Sequence, residues 1–143
     1  FIRQYLKFYG ILKVDGILGD FGVSSHQFDQ ADRGFSTRFD AELDMRMNQK
    51  EALSARDLVN TYPETRLREV LFRYGELKRA GAMARAIVAA RANSPLQTTG
   101  ALNYILRTYL QRGKEHKGLS QAYQAIRIEV NQELTALEEL LQQ

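Results

Sequence analysis

Apolar residues recur every three to four positions through most of this chain, and over one long stretch they lose all period. Ile2, Tyr5, Leu6 and Tyr9 share one helical face, and Gly10 directly after them suits a C-terminal cap. No start signal precedes this helix, so the segment reads as cut from something longer. Val14-Asp15-Gly16-Ile17-Leu18-Gly19-Asp20 is short and apolar and reads as one buried strand ending at an acidic residue. From Phe21 to about Lys50, single aromatics (Phe21, Phe28, Phe35, Phe39) stand among glycine, serine, aspartate and asparagine. A loop of this length inside a compact domain is uncommon and usually functional.

From Ser54 onward the pattern is helical. Ser54 suits the cap of a short helix through Asn60, with Asp57 completing an imperfect capping box. Pro63 suits the first turn of a second helix carrying Leu67, Val70, Leu71 and Tyr74, closed by Gly75. A third runs from about Glu76 to Arg91, with Gly81 expected to permit close packing, and Asn93-Ser94-Pro95 stops it. Thr98 or Thr99 caps a fourth, with Leu102, Ile105 and Leu106 on its apolar stripe. A basic connection from Gln111 to Gly118 leads to a last helix, from about Leu119 to the end. Leu71, Ile87, Leu102 and Ile105 are expected in the core of the helical part.

Length and composition narrow the picture only a little. One domain of ordinary size suits 143 residues. There is no cysteine, which excludes disulfides and thiolate metal sites, and no metal is expected. A net charge of +3 admits a nucleic-acid partner without requiring one. No apolar run approaches a membrane span, and a cytoplasmic setting is expected.

The densest signal is the run Val14-Asp15-Gly16-Ile17-Leu18-Gly19-Asp20-Phe21-Gly22-Val23-Ser24-Ser25-His26-Gln27-Phe28-Asp29. It continues as Arg33-Gly34-Phe35-Ser36 and Leu43-Asp44-Met45-Arg46-Met47. Tyr74-Gly75-Glu76, Ala84-Arg85-Ala86-Ile87-Val88 and the stretch from Tyr123 to Leu134 follow in order. The set resembles the ribosomal RNA small subunit methyltransferase H family, also called MraW, which methylates N4 of a cytosine in 16S rRNA. Phe21 stands where that family usually has leucine, His26 where proline is frequent, and Asn48 where aspartate is frequent.

The resemblance implies a mainly α chain. A helical insert domain, residues 51–118, would be attached to a fragment of a Rossmann-like class I methyltransferase α/β domain. Residues 1–50 would carry one helix, one strand and the active-site loop, and 119–143 the helix returning to the sheet. The family's glycine-rich cofactor loop and later strands fall outside this stretch, so the isolated chain is not expected to turn over or to bind cofactor well. The resemblance implies S-adenosyl-L-methionine as cofactor and 16S rRNA in the small ribosomal subunit as partner. It assigns cofactor contact to Asp20 and Gln27, expected together at the carboxyl end of the strand, where open α/β sheets bind ligands. The residues by themselves leave open that Asp20 only caps the next turn.

Cytosine's amino lone pair is delocalised into the ring, so a site must align it and accept hydrogen bonds from its N–H groups. No catalytic residue is assigned. Arg33, Arg38 and Arg46 interleave with Phe35 and Phe39, the pairing single-stranded RNA contact needs. Arg33 and Arg46 are taken as substrate-binding candidates, and the aromatics as loop anchors. His26 and His116 read as polar loop residues. A non-catalytic helical RNA-binding or assembly module is the alternative function, and homodimerisation stays open.

Overall fold

The computed structural model describes residues 2–20 and 22–142. Phe1, at the head of the first amphipathic segment, and Phe21, one of the loop aromatics, lie outside the described residues, as does Gln143. The chain divides into two compact units, Phe1–Gly22 with Gln132–Gln143, and Val23–Asn131.

The first unit holds helix α1 (Ile2–Phe8), the segment 11–20 and a second helix over Glu133–Leu141. Gly10 takes the left-handed conformation at φ 67°, and Ile11 N donates to Leu6 O at 2.8 Å, closing α1 as its position after the apolar stripe predicts. Neither helix contributes a buried residue. The strand expected over 14–19 is not formed: no strand exists among the described residues, and the segment is exposed, Leu18 fully. A strand is made by the neighbour that pairs with it, and an apolar run supplies only half of that arrangement.

The second unit opens with the short helix α2 (Ser25–Asp29) and a 3-10 turn, Ala31–Arg33. Five longer helices follow: α3 (Ala55–Thr61), α4 (Glu64–Arg73), α5 (Ala80–Asn93), α6 (Thr99–Arg107) and α7 (Glu115–Val130). The helix of the first unit over Glu133–Leu141 is therefore α8. α5 lies along α4, and α7 lies against α3, α4 and α6. Leu71, Ile87, Leu102 and Leu106 are fully buried in the core, and Ile105 packs at its edge.

Side-chain caps fix the starts of α2, α3 and α6. Ser54 accepts from the Asp57 amide at 3.1 Å, and Asp57 Oδ2 accepts from Ser54 N at 3.0 Å, a complete box. Ser54's hydrogen bonds hold the Asp57 carboxyl below its ordinary range. Thr98 caps α6 by accepting from the Ala101 amide at 3.2 Å. Glu129, at the end of α7, accepts from Tyr62 Oη at 3.0 Å and Arg66 Nη2 at 2.8 Å, tying α3 and α4 to α7.

Three boundaries differ from the sequence pattern. α5 begins at Ala80, because Glu76 has φ 53° and residues 77–80 form a turn closed by Ala80 N donating to Leu77 O at 3.1 Å. α7 begins at Glu115, a turn earlier than expected. It stops at Val130, where Gln132 at φ 49° separates it from α8, so the expected single last helix is two. Close packing also rests elsewhere than on Gly81, whose added Cβ would meet only the Arg68 side chain at 3.7 Å. A Cβ on Gly75 would come within 2.8 Å of Leu71 O and 2.9 Å of Gln121 O, so Gly75 lets α7 approach the end of α4.

Candidate functional site

The irregular stretch is built by its own polar residues. Ser24 and Gln27 form a capping box for α2: Gln27 N donates to Ser24 Oγ at 3.3 Å, and Ser24 N donates to Gln27 Oε1 at 3.1 Å. Gln27's other end, Nε2, donates to Met47 O at 3.3 Å. Gly34 turns the chain at φ 70°, where a Cβ would overlap the Glu42 carbonyl. That turn buries Phe35 and Ser36.

Arg33 donates to Arg46 O at 2.5 Å, and its guanidinium lies 5.9 Å from the Phe35 ring centroid. Its Nε is buried with no hydrogen-bond partner. Arg46 clasps Asp44 through Nε at 2.5 Å and Nη2 at 3.3 Å, and donates to the Gln49 and Glu51 carbonyls at 3.1 and 2.9 Å. Asn131 completes the knot. Its Oδ1 accepts from Met47 N at 2.6 Å, and its Nδ2 donates to Met45 O at 2.8 Å.

The structure therefore brings Gln27, Arg33 and Arg46 together around the Met45–Met47 turn. Each uses its side chain to hold loop backbone. Asp20 belongs to the other unit and is exposed. Residues 39–43 are pinned on the start of α6. Thr99 N donates to Ala41 O at 2.8 Å, Leu43 N to Gln97 O at 3.1 Å, and Gly100 N to Asp40 Oδ1 at 2.8 Å. The Gly100 amide, and then Thr98, hold the Asp40 carboxyl below its ordinary range.

Beside this loop lies a cavity of about 380 Å³, walled by Phe28, Phe35, Met45 and the polar residues Arg38, His116, Ser120 and Gln124. His116, read from the sequence as a loop residue, stands in the first turn of α7. The usable signal was its spacing of four from Ser120 and of four again to Gln124, one polar helical stripe. Tyr123 closes the cavity floor. Its hydroxyl donates to Asn103 Oδ1 at 2.9 Å, and burial pushes its pKa up to about 12.

A helical unit carrying an arginine-braced loop over a polar and aromatic cavity is the setting in which sequence similarity becomes informative. The chain matches the MraW methylase family over residues 1–143, and it belongs to that family. It is 57% identical over 143 residues to a protein of Christiangramia forsetii named ribosomal RNA small subunit methyltransferase H, covering 100% of this chain and 47% of that one. The protein of the same name from Flavobacterium johnsoniae is 58% identical over 143 residues, with 100% and 47% covered. That from Bacteroides thetaiotaomicron is 48% identical over 141 residues, with 99% and 46% covered. The chain spans about half the length of the curated relatives it matches.

Proposed function

We propose that the protein carrying this chain is an S-adenosyl-L-methionine-dependent methyltransferase acting on N4 of a cytosine in the 16S rRNA of the small ribosomal subunit, in the cytoplasm. The observation that carries the reading is family membership along all 143 residues, with relatives that bear the methyltransferase name. No helix among the described residues is long and apolar enough to cross a membrane.

On this reading, residues 14–19 join a Rossmann-like sheet and Asp20 stands at its ligand-binding edge. Its exposed carboxylate fits a hydrogen-bond donor of the cofactor or the target amine. Gln27 fits less directly. Both ends of its amide already serve Ser24 and Met47, so it shapes the loop that would face the cofactor unless those bonds exchange. Arg33 and Arg46 support substrate binding by the same route, fixing the loop backbone rather than offering free guanidinium groups. When bound, the cofactor supplies a sulfonium methyl group. The chain's part is to hold the amine in line with it and to accept hydrogen bonds from the amine's N–H groups.

The self-contained core of residues 23–131 favours the second reading, a helical RNA-binding module, for that unit taken by itself. One experiment separates the two. The whole protein is incubated with methyl-labelled cofactor and unmethylated small subunits, and Asp20→Ala is compared with the parent. Methyl transfer is expected to fall roughly 100-fold or more while subunit binding changes little. Equal loss of both makes Asp20 structural, and absence of transfer by the parent leaves the module reading.

A further inference from the structure

Helix α7 has two faces of different purpose. Leu119, Ala122, Tyr123 and Ile126 are buried in the core. On the other side His116, Ser120 and Gln124 follow one another at spacings of four, all exposed, and no core packing requires their polarity. They form one wall of the 380 Å³ cavity. Phe28, 42% exposed, and buried Phe35 line the same cavity. Aromatic rings lining one cavity with a row of hydrogen-bonding groups suit a flat heterocycle with a polar edge.

The cavity does not end there. Thr37, Arg38 and His116 also line a neighbouring depression of about 780 Å³, which adds Arg107 and Arg112. Glu115 is the carboxylate among the residues lining the two. Arg38, Arg107 and Arg112 are exposed and form no ion pair among the described residues. A base-sized pocket that opens into three guanidinium groups, with Glu115 beside Arg107 and Arg112 as the lining carboxylate, keeps a net positive charge and is complementary to a base together with its flanking phosphates.

We propose that this groove holds an unpaired nucleotide of an RNA strand, its base stacked on Phe28 with its polar edge toward Ser120 and Gln124, and its neighbouring phosphates on Arg38, Arg107 and Arg112. The proposal rests on the RNA-substrate reading above and adds where the strand lies. It gives the docking role to Arg38, Arg107 and Arg112, because Arg33 and Arg46 are engaged internally.

The test uses the 143-residue chain and a short fluorescein-labelled single-stranded RNA, with anisotropy followed across a salt series. Arg38→Gln and Arg112→Gln are each expected to weaken binding about 5- to 10-fold. Each should also lower the slope of log Kd against log salt by about 0.7, one phosphate contact on a single strand. Phe28→Ala should weaken binding about 5- to 100-fold at unchanged slope, the mark of lost stacking. Arg85→Gln, an exposed charge on α5, controls for loss of net charge and should alter neither quantity. All four positions are exposed, and a thermal melt checks that each variant folds. The groove is overturned if Arg38→Gln and Arg112→Gln match Arg85→Gln. The base pocket is overturned if Phe28→Ala binds as the parent does, or if duplex RNA of the same sequence competes as well as the single strand. The enzymatic reading is judged apart, by methyl transfer in the whole protein: transfer with silent groove variants removes the groove alone, and groove effects without transfer remove the enzyme alone.

Discussion

The two units carry the same kind of sequence pattern and reach opposite outcomes. Residues 23–131 contain every buried hydrophobic side chain of the described core. In residues 2–20 and 132–142, Tyr5, Phe8, Leu12, Ile17, Leu18 and Leu141 are each more than half exposed. Yet α1 and α8 have apolar residues at helical spacing as regular as those of α6. Amphipathic spacing states that a face has to be covered, and says nothing of what covers it.

The contrast breaks most easily at a core position. Leu102→Ala, at a fully buried site, is expected to cost about 2–5 kcal/mol in urea unfolding of the chain. A loss below that range would mean that the second unit is not a packed core. Next comes Asn131→Ala, which removes the bonds to Met47 N and Met45 O. A cost of about 1–3 kcal/mol is expected, with faster amide exchange at Met47. Unchanged exchange there would show that the turn holds without Asn131.

Tyr123→Phe has a smaller effect at neutral pH, about 1 kcal/mol, and its signature lies in alkali. The folded-state pKa is raised from 10.0 to about 12, so the phenol's contribution is intact below pH 10 and is lost as pH rises toward 12. The parent should lose stability across that window, and Tyr123→Phe should lose less. Identical alkaline profiles would contradict the burial of the hydroxyl. The smallest effect is expected in the first unit, where Leu18→Ala should change the chain's stability by less than about 0.5 kcal/mol. A core-sized loss would mean that Leu18 is covered in solution and would erase the contrast.

Helix starts were legible where a side chain makes the cap. Ser54 caps α3 as expected and Thr98, one of two candidates, caps α6, whereas Pro63 stands one position before α4 and makes no side-chain cap. α2 was missed although Ser24 and Gln27 carry the same box spacing, because five residues hold too few apolar positions to show a period. The break at Gln132 left no local sign, since neither glycine nor proline marks it. In the site, the interleaving of Arg33 and Arg46 with aromatics gave no sign that both guanidinium groups bond to groups of their own loop. Whether a guanidinium faces solvent or a carbonyl depends on where residues 13 positions away return, as Arg33 does to Arg46. The stripe on α7 was hidden for a related reason: the basic connection was drawn through Gly118, which put His116 outside the helix.

Asn131 also fixes an order of events. Met47 and Asn131 are 84 residues apart, and they meet through a side chain at the last position of their unit. During synthesis at roughly 5–20 residues per second, the Met45–Met47 turn waits about 4–17 s for that partner to be made. Until then the turn lacks its clasp, and the groove walls on α7 are incomplete. The segment that gives this protein its most specific motifs is thus among the last parts of its unit to acquire shape.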